Sequence, residues 1–390
     1  MLILGALSPH EALGFINPTV LLIFIGALLL AELFIYSRVP AVLADIIVIK
    51  SPNSGIAIVA ILVMTGIISA FVENVATVLV MAPVALALCR KLNIKPRMFI
   101  VGLAIMSNLQ GTATLVGDPP SMIFASYAGY TFNDFFFFNG RPSIFFAVQI
   151  GMIAGVLFLY RFFSKTGKEK VTIEKDVIIS SFPAILLIIK IIGLAILTFI
   201  FNGLTVASGF FVAALAVLGF FWYWLIRKEG TAKSFKMLKE LDWDTVFFLA
   251  GIFLVIGAVE TSGILDDFAG VLLQLIGNNV LFGFILITLV SVFISGFVDN
   301  VPYIIAMLPV AASLSSELGL RPELYMFALL IGSCMGGNLT PFGASANVVS
   351  LGILRKHNDP INFSQWLTVA LPFTFISVAA SAVFVWLIWR

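Results

Sequence analysis

The chain has 390 residues, of which 61% are hydrophobic and 11% are charged, with a formal net charge of +2. Soluble domains carry about a quarter charged residues, so this composition excludes an ordinary soluble protein. The small net charge gives no indication of nucleic-acid binding, and Cys89 and Cys334 lie in unrelated apolar segments without a metal or disulfide pattern. Apolar segments of about 20 residues predict an all-α polytopic membrane protein, since barrel strands would be shorter and alternating.

Apolar segments follow one another along the whole chain, separated by short polar loops. The run Met1–Leu7 is too short to cross a bilayer and lacks the basic start of a signal peptide. The predicted helical segments of the first part are 18–36, 39–49, 55–72, 75–88, 98–115 with a continuation to 127, 144–163, 177–201 and 205–226. Those of the second part are 245–260, 280–298, 300–314, 324–351 with an internal break, and 366–389.

One sequence motif occurs twice in nearly the same form. Ser-Ala-Phe-Val-Glu-Asn-Val at 69–75 returns as Ser-Gly-Phe-Val-Asp-Asn-Val at 295–301. The two matching segments begin at Ile68 and Ile294, so their offset is 226 residues (294 − 68). The same offset holds without a gap over residues 17–125 and 243–351, which indicates an internal duplication. We therefore expect a first repeat over 1–163, a linking helical pair over 164–243 and a second repeat over 244–390.

Each repeat contains two interruptions of its apolar segments. The first repeat has a predicted hairpin tip at 73–75 and a broken helix at 111–121, and the second has a tip at 299–301 and a broken helix at 336–347. Paired interruptions in two halves of a transporter are the best sequence indication of its binding site. We expect each arm–tip–arm unit to be a re-entrant helical hairpin.

The basic loops predict the orientation of the two repeats. Lysine and arginine concentrate at 90–97, 161–176, 227–239 and 355–357, whereas 129–143, 202–204 and 262–280 carry almost none. Basic loops mark the cytoplasmic side. Threading the chain through these loops makes the first tip enter from the cytoplasm and the second from outside, so the repeats are predicted to have inverted topology.

The two tips place Glu73 and Asp299 inside apolar sequence. Ionisable residues in membrane segments are rare and are functional by default, although a structural ion pair or cap is the alternative. Carboxylates with nearby carbonyls and hydroxyls suit a hard cation or a proton. Asn74 and Asn300 begin the returning arms, where we expect them to be N-caps, and helix N-termini attract anionic groups.

The two breaks carry small and hydroxyl-bearing residues that we expect to face the tips. These are Gly111, Thr112, Thr114 and Gly117 in the first break and Gly337, Asn338, Thr340 and Gly343 in the second. Asp118 precedes two prolines, which is a common N-cap pattern, so either capping alone or a role in the site is open. Lys190 lies in the middle of an apolar span, where we expect it to snorkel or to pair.

Four segments together resemble the signatures of the ion transporter superfamily, in particular the branch of arsenite permeases and the melanosomal P protein. They are 69–75, 111–121, 295–303 and 337–347. Sodium/proton antiporters of the NhaD type and divalent anion/sodium symporters are more distant relatives. The resemblance covers nearly the whole chain and implies two inverted repeats, a homodimer with scaffold and transport domains, and elevator-type alternating access.

The resemblance also extends the predicted site to Ser121, Ser345 and Asn347. The substrate-binding residues are then expected to be Asn74, Thr112, Thr114, Gly117, Asp118, Ser121, Asn300, Asn338, Thr340, Gly343, Ser345 and Asn347. The coupling Na⁺ or H⁺ is expected at Glu73, Asn74, Gly111, Asp299, Asn300 and Gly337.

The resulting hypothesis is a secondary active transporter of a small anion or a metalloid oxyanion such as arsenite, coupled to Na⁺ or H⁺, in the plasma membrane. The alternatives are a Na⁺/H⁺ antiporter and a Na⁺-coupled dicarboxylate or citrate-type transporter. A channel is disfavoured because no filter motif is present, and an intramembrane protease because its Gly-x-Gly-Asp signature is replaced by Leu115-Val-Gly-Asp118. We expect no enzymatic activity and no cofactor.

Overall fold

The computed structural model describes residues 16–164, 176–201, 206–261 and 264–390. Three features of the sequence analysis lie outside these residues: the apolar start of the chain, most of the basic loop 161–176, and the loop 202–204. The described residues are mostly helical.

The first part of the chain contains seven described helices and one small hairpin of strands. They are α1 (Pro18–Tyr36), α2 (Val39–Lys50), α3 (Ser54–Ser69), α4 (Asn74–Leu92), α5 (Arg97–Gly111), α6 (Pro119–Ala128), the antiparallel strands β1 (Phe137–Phe138) and β2 (Arg141–Pro142), and α7 (Ile144–Phe163). A 3₁₀ turn, Asn133–Phe135, precedes β1.

The remaining described helices are α8 (Phe182–Phe201), α9 (Val206–Phe221, extended by a π-helical turn at Trp222–Ile226), α10 (Thr231–Lys239), α11 (Trp243–Thr261), α12 (Ile264–Ile276), α13 (Val280–Ser295), α14 (Asn300–Glu317), α15 (Pro322–Gly336), α16 (Ser345–Lys356) and α17 (Phe363–Trp389). A 3₁₀ turn, Gly337–Leu339, follows α15.

Most predicted segments agree with these helices, and the differences have a physical cause. Helices α10 and α12 were not predicted, because both are short and amphipathic and their polar residues interrupt the apolar signal. The arms α3 and α13 end at Ser69 and Ser295, three residues earlier than predicted, since the residues just before each tip leave the helix.

The helices of the two halves correspond closely. Helix α3 begins and ends 226 residues before α13, and each is capped by an asparagine side chain, Asn53 accepting from Ile56 N at 2.9 Å and Asn279 accepting from Phe282 N at 3.0 Å. The residues before α6 and α16 also share one backbone conformation, with φ −153° and ψ 148° at Asp118 and φ −150° and ψ 150° at Ala344.

The packing of the two halves is reciprocal. Helix α6 of the first half packs against α14 of the second, and α16 of the second half packs against α4 of the first. The two broken helices, α5 and α15, also contact each other. This arrangement places the second piece of each broken helix against the hairpin of the other half, and so brings both tips toward the same part of the molecule.

Among the described residues, six helices are long and apolar enough to cross a membrane: Pro18–Tyr36, Asn74–Leu92, Ile144–Phe163, Phe182–Ile200, Val206–Ile226 and Phe363–Trp389. The first arms of the hairpins, α3 and α13, have 16 residues each. A helix of that length rises about 24 Å, less than the hydrocarbon thickness of about 30 Å.

Candidate functional site

The two hairpin tips meet at one small cleft between the halves. Its volume is about 60 Å³, the space of roughly two water molecules in the liquid. The cleft is lined by Glu73, Asn74, Asn108, Asp118, Pro119, Asp242, Thr245, Phe248, Asp299, Asn300, Val301, Ala344, Ser345 and Ala346. The tips therefore converge, although they are far apart in the chain.

The acidic residue of each tip caps the returning arm of its hairpin. Glu73 Oε2 accepts a hydrogen bond from Ala76 N at 2.9 Å, and Asp299 Oδ1 accepts from Val301 N at 2.9 Å. The expectation that Asn74 and Asn300 are the N-caps is wrong, because both are the first helical residues. An anionic cap at a helix N-terminus satisfies an unpaired N–H and interacts favourably with the helix dipole.

Asn74 is 4% exposed and is held by two serines. Ser69 Oγ donates to Asn74 Oδ1 at 2.6 Å and lies 2.7 Å from Ser107 Oγ, while Ser107 Oγ donates to Asn74 O at 3.1 Å. A Cβ atom on Gly111 would lie 2.4 Å from Asn74 Oδ1, so glycine is needed for this approach. Three side-chain oxygens thus cluster beside Gly111.

The equivalent group in the second half is less closely bonded. Ser295 Oγ donates to Ser333 O at 2.6 Å, as Ser69 does to the carbonyl of Ser107. Ser333 Oγ, however, is buried without a hydrogen-bond partner among the described residues. Asn300 is only half-buried, whereas Asn74 is buried. Ser333 Oγ, the counterpart of Ser107 Oγ at the repeat offset, therefore makes no bond equivalent to the one that Ser107 makes with Asn74.

The breaks hold the tips in place through hydroxyl groups. The hydroxyl of Thr114 donates to the carbonyl of Ala70, and that of Thr340 donates to the carbonyl of Gly296. These four residues keep the offset of 226. Each threonine thus ties its break to the residue that follows the first arm of the hairpin of the same half.

An asparagine of α5 connects the broken helices of the two halves. Asn108 Nδ2 donates to Asn338 Oδ1 and to Asn347 Oδ1, both at 2.9 Å. Asn347 Nδ2 in turn donates to the carbonyls of Gly337 at 2.9 Å and Thr340 at 2.8 Å. A network whose members are bonded to one another favours one arrangement of the halves around the cleft.

The predicted site residues fall into two groups. Those that line the cleft are Glu73, Asn74, Asp118, Asp299, Asn300 and Ser345. Those that do not line it, but form the breaks around it, are Gly111, Thr112, Thr114, Gly117, Ser121, Gly337, Asn338, Thr340, Gly343 and Asn347. Ser121 Oγ, for instance, lies 3.4 Å from the carbonyl oxygens of Gly111 and Thr112.

Asp118 is 7% exposed and occupies the N-cap position of α6 without a capping hydrogen bond from its side chain. Capping alone is therefore the wrong interpretation of this residue. Asp242 and Asn108 also line the cleft and were not predicted. Asp242 precedes an apolar span, and Asn108 is polar within one, but neither has a polar partner at the repeat offset.

The electrostatics of the cleft are one-sided. Four carboxylate side chains line it (Glu73, Asp118, Asp242 and Asp299), and no lysine, arginine or histidine of the described residues does. Across the described part of the chain, no three His, Cys, Asp or Glu side chains come close enough to hold a metal ion together. A cation here would combine a carboxylate with amide, hydroxyl and carbonyl oxygens, which are suitable ligands for hard cations.

Several known proteins are similar to this chain in sequence. An uncharacterized transporter of Mycobacterium tuberculosis is 35% identical over 373 residues, covering 94% of this chain and 84% of that protein. The human P protein is 25% identical over 397 residues, covering 82% of this chain and 47% of the P protein. This agrees with the predicted branch of the superfamily.

Two solved structures share the fold. The YdaH transporter of Alcanivorax borkumensis superposes with a TM-score of 0.64 at 15% identity, over 99% of this chain and 86% of that one. MtrF of Neisseria gonorrhoeae gives a TM-score of 0.63 at 15% identity, over 98% and 83%. A family model described as a citrate transporter matches residues 1–332 and 284–390. The chain is therefore a membrane transporter of the citrate transporter family, CitMHS, within the ion transporter superfamily.

Proposed function

We propose that this protein is a secondary active transporter that moves a small anion, either a carboxylate of the citrate type or a metalloid oxyanion, together with Na⁺ or H⁺. The observation that carries this proposal is that Glu73 and Asp299 line one cleft with two further carboxylates and, among the residues that the structure describes, no basic side chain. Like charges disfavour one another's ionised form and would repel an anion. An anion can therefore bind there only together with cations or protons.

The coupling cations are assigned to the two tips. Asn74, held by Ser69 and Ser107, provides oxygens beside Glu73 in the first half. Asn300, which lines the cleft with Asp299, provides them in the second. Neutralising the carboxylates at both tips would leave the N-termini of α4 and α14 to attract the anion, because helix N-termini carry partial positive charge.

Alternating access is proposed to follow from two repeats of inverted orientation. Three observations support the inverted orientation of the repeats. Helix α6 packs on α14 as α16 packs on α4, and the first arms α3 and α13 are both short. The basic loops also alternate along the chain with loops that carry almost no Lys or Arg. We further propose that the protein works as a homodimer of the elevator type in the plasma membrane, as the superfamily resemblance implies.

Transport by purified protein in proteoliposomes tests the proposal. Citrate, a dicarboxylate, arsenite, phosphate and sulfate are offered under an inward gradient of Na⁺ or of protons, and we expect gradient-driven uptake of one anion class. Asp299→Asn should abolish that dependence, whereas Asp244→Asn, which changes a nearby exposed carboxylate outside the cleft, should preserve it. Uptake of an anion that is independent of both gradients would contradict coupling.

A Na⁺/H⁺ antiporter is the second candidate, and the size of the cleft favours it. A cleft of about 60 Å³ accommodates a cation with one or two waters, whereas citrate is several times larger and requires the cleft to open. The same proteoliposomes distinguish the two functions. Proton movement driven by Na⁺ alone, with no anion offered, would support the antiporter and contradict anion transport as the coupled reaction.

A further inference from the structure

The tip of the first hairpin is held by a buried lysine that the proposed transport reaction does not use. Lys190 of α8 is 1% exposed, and its Nζ donates to the carbonyl of Phe71 at 2.9 Å. Phe71 lies just beyond the C-terminal end of α3. Because helix C-termini carry partial negative charge, an ammonium group at this position is favoured.

Apolar contacts close the same tip against α1. Val72 and Ala76 form one buried cluster with Ala31 and Phe34 of α1, and all four side chains are no more than 6% exposed. Ala184 and Leu187 of α8 pack against this cluster from the side of Lys190. The lysine bond and the cluster therefore join the hairpin to α1 and α8 together.

A much larger cavity begins beyond this cluster. It has a volume of about 640 Å³ and is lined by residues of α2 and α4, with Arg38, Lys91 and Asp176 among its charged residues. Along α4, the acidic cleft ends at Asn74, the cluster contains Ala76, and the cavity runs from Leu79 to Lys91. Along α4, the residues of the cluster thus lie between those that line the cleft and those that line the cavity.

The second hairpin has no equivalent closure among the described residues. Phe297 and Val298, the counterparts of Phe71 and Val72, are 64% and 47% exposed. Helix α8 lies outside both duplicated segments, so the duplication supplies no counterpart of Lys190. The structure thus combines a closed first hairpin with an uncovered second one.

We propose that Lys190 is a positioning residue that locks the first hairpin in its closed state, and that its bond to Phe71 must break before the acidic cleft opens to the 640 Å³ cavity. The inference rests on the proposed alternating-access function. In this proposal, the cleft is closed toward the face of the membrane from which the first hairpin enters. The basic residues in the loop after α4 predict that this face is cytoplasmic.

Cysteine labelling in nanodiscs, which leave both faces accessible, tests this lock. Cys89 and Cys334 are both buried and are first replaced by alanine. Val72→Cys then reports on the closed hairpin, and Val298→Cys is its matched control at the repeat offset. With Lys190 present, we expect slow maleimide labelling at position 72 and fast labelling at position 298.

Lys190→Met should raise the labelling rate at position 72 about tenfold or more, because a hydrogen bond from a charged group is lost. Labelling at position 298 should not change, and Lys190→Arg should restore slow labelling at position 72. A general loss of structure would instead change both positions. If Lys190→Met does not fold, Lys190→Gln, whose amide is too short to reach the carbonyl, replaces it under the same criterion.

Equal labelling rates at position 72 with and without the Lys190 side chain would overturn the proposal. So would an equal acceleration at positions 72 and 298. The labelling requires no substrate, so it can succeed where the anion-uptake experiment fails, and the two proposals can be contradicted separately.

Discussion

Glu73 and Asp299, 226 residues apart in the chain, line the same cleft, each as the N-cap of the returning arm of its hairpin. The caps are not equivalent in their surroundings. Glu73 is half-buried beside the closed first tip, whereas Asp299 is exposed beside the open second tip. The two carboxylates, which correspond to each other at the repeat offset, therefore differ in how far they are buried.

The threonine bonds that tie the breaks to the tips should contribute measurably to stability. Thr114→Val and Thr340→Val each leave a buried carbonyl, of Ala70 and of Gly296, without its donor. We expect each substitution to lower the free energy of unfolding by about 1 kcal/mol. Unfolding in mixed detergent micelles measures this, with the exposed Thr368→Val as a control that should remain near zero.

Two glycines of the breaks should not tolerate a side chain. A Cβ atom at Gly117 would lie 2.4 Å from the carbonyl oxygen of Gly111, and one at Gly343 would lie 2.6 Å from that of Gly337. We expect either glycine-to-alanine change to cost roughly 1–3 kcal/mol or more. Gly352→Ala, which places its Cβ in open space within α16, should be neutral or slightly stabilising. Similar stabilities for all three variants would contradict this packing.

The asparagine network between the halves predicts non-additive mutations. Asn108→Ala and Asn347→Ala remove the same 2.9 Å bond, so the double variant should lose less stability than the sum of the single variants, by about 0.5–2 kcal/mol. Asn133, whose amide bonds to the carbonyl of Ala195, provides the control partner. Asn108→Ala combined with Asn133→Ala should be additive, and an additive result for Asn108 with Asn347 would rule out their coupling.

The ion pair between Arg97 and Asp359 joins the start of α5 to the loop before α17. Arg97 Nε lies 2.5 Å from Asp359 Oδ1, and the side chains are 23% and 11% exposed. Arg97→Met should cost about 1–3 kcal/mol, because it leaves a carboxylate largely buried and unpaired.

Adding Asp359→Leu should recover most of the stability lost in Arg97→Met, because no charge is then left unpaired. The exposed pair of Arg38 and Asp176, at 55% and 46%, is the comparison, and Arg38→Met should cost less than about 1 kcal/mol. Equal costs for Arg97→Met and Arg38→Met in detergent unfolding would show that burial does not strengthen the Arg97 pair.

The sequence was sufficient for those parts of the fold that hydrophobicity and duplication determine. The bounds of α1 and α7 agree with the predicted spans 18–36 and 144–163, because continuous apolar runs end there at polar residues or turns. The repeated motif also predicts that Glu73 and Asp299 lie at one site, because paired interruptions in the two halves of a transporter indicate its binding site. Helix α12, by contrast, was missed because its stability comes from packing against α14, which no local pattern reveals.

The unpredicted site residues have no repeat partner of their own kind. Asn108 aligns with Cys334 and Asp242 with Ile16, so the duplication gives no indication that either residue belongs to the site. For Lys190, the sequence predicts only that the side chain snorkels or pairs. Its partner is the backbone carbonyl of Phe71, and a sequence cannot show which carbonyl a distant side chain reaches. Tertiary contacts alone determine these features.

The most direct test of the central claim is the thermal stability of the purified protein as a function of Na⁺ and of pH. A cation that binds only the folded state stabilises it by about 2.7 kcal/mol at one hundred times its dissociation constant. We predict that Na⁺ or added protons raise the melting temperature of the wild type and of Asp244→Asn, and that Glu73→Gln and Asp299→Asn each reduce the effect. Undiminished stabilisation in Asp299→Asn would contradict the account.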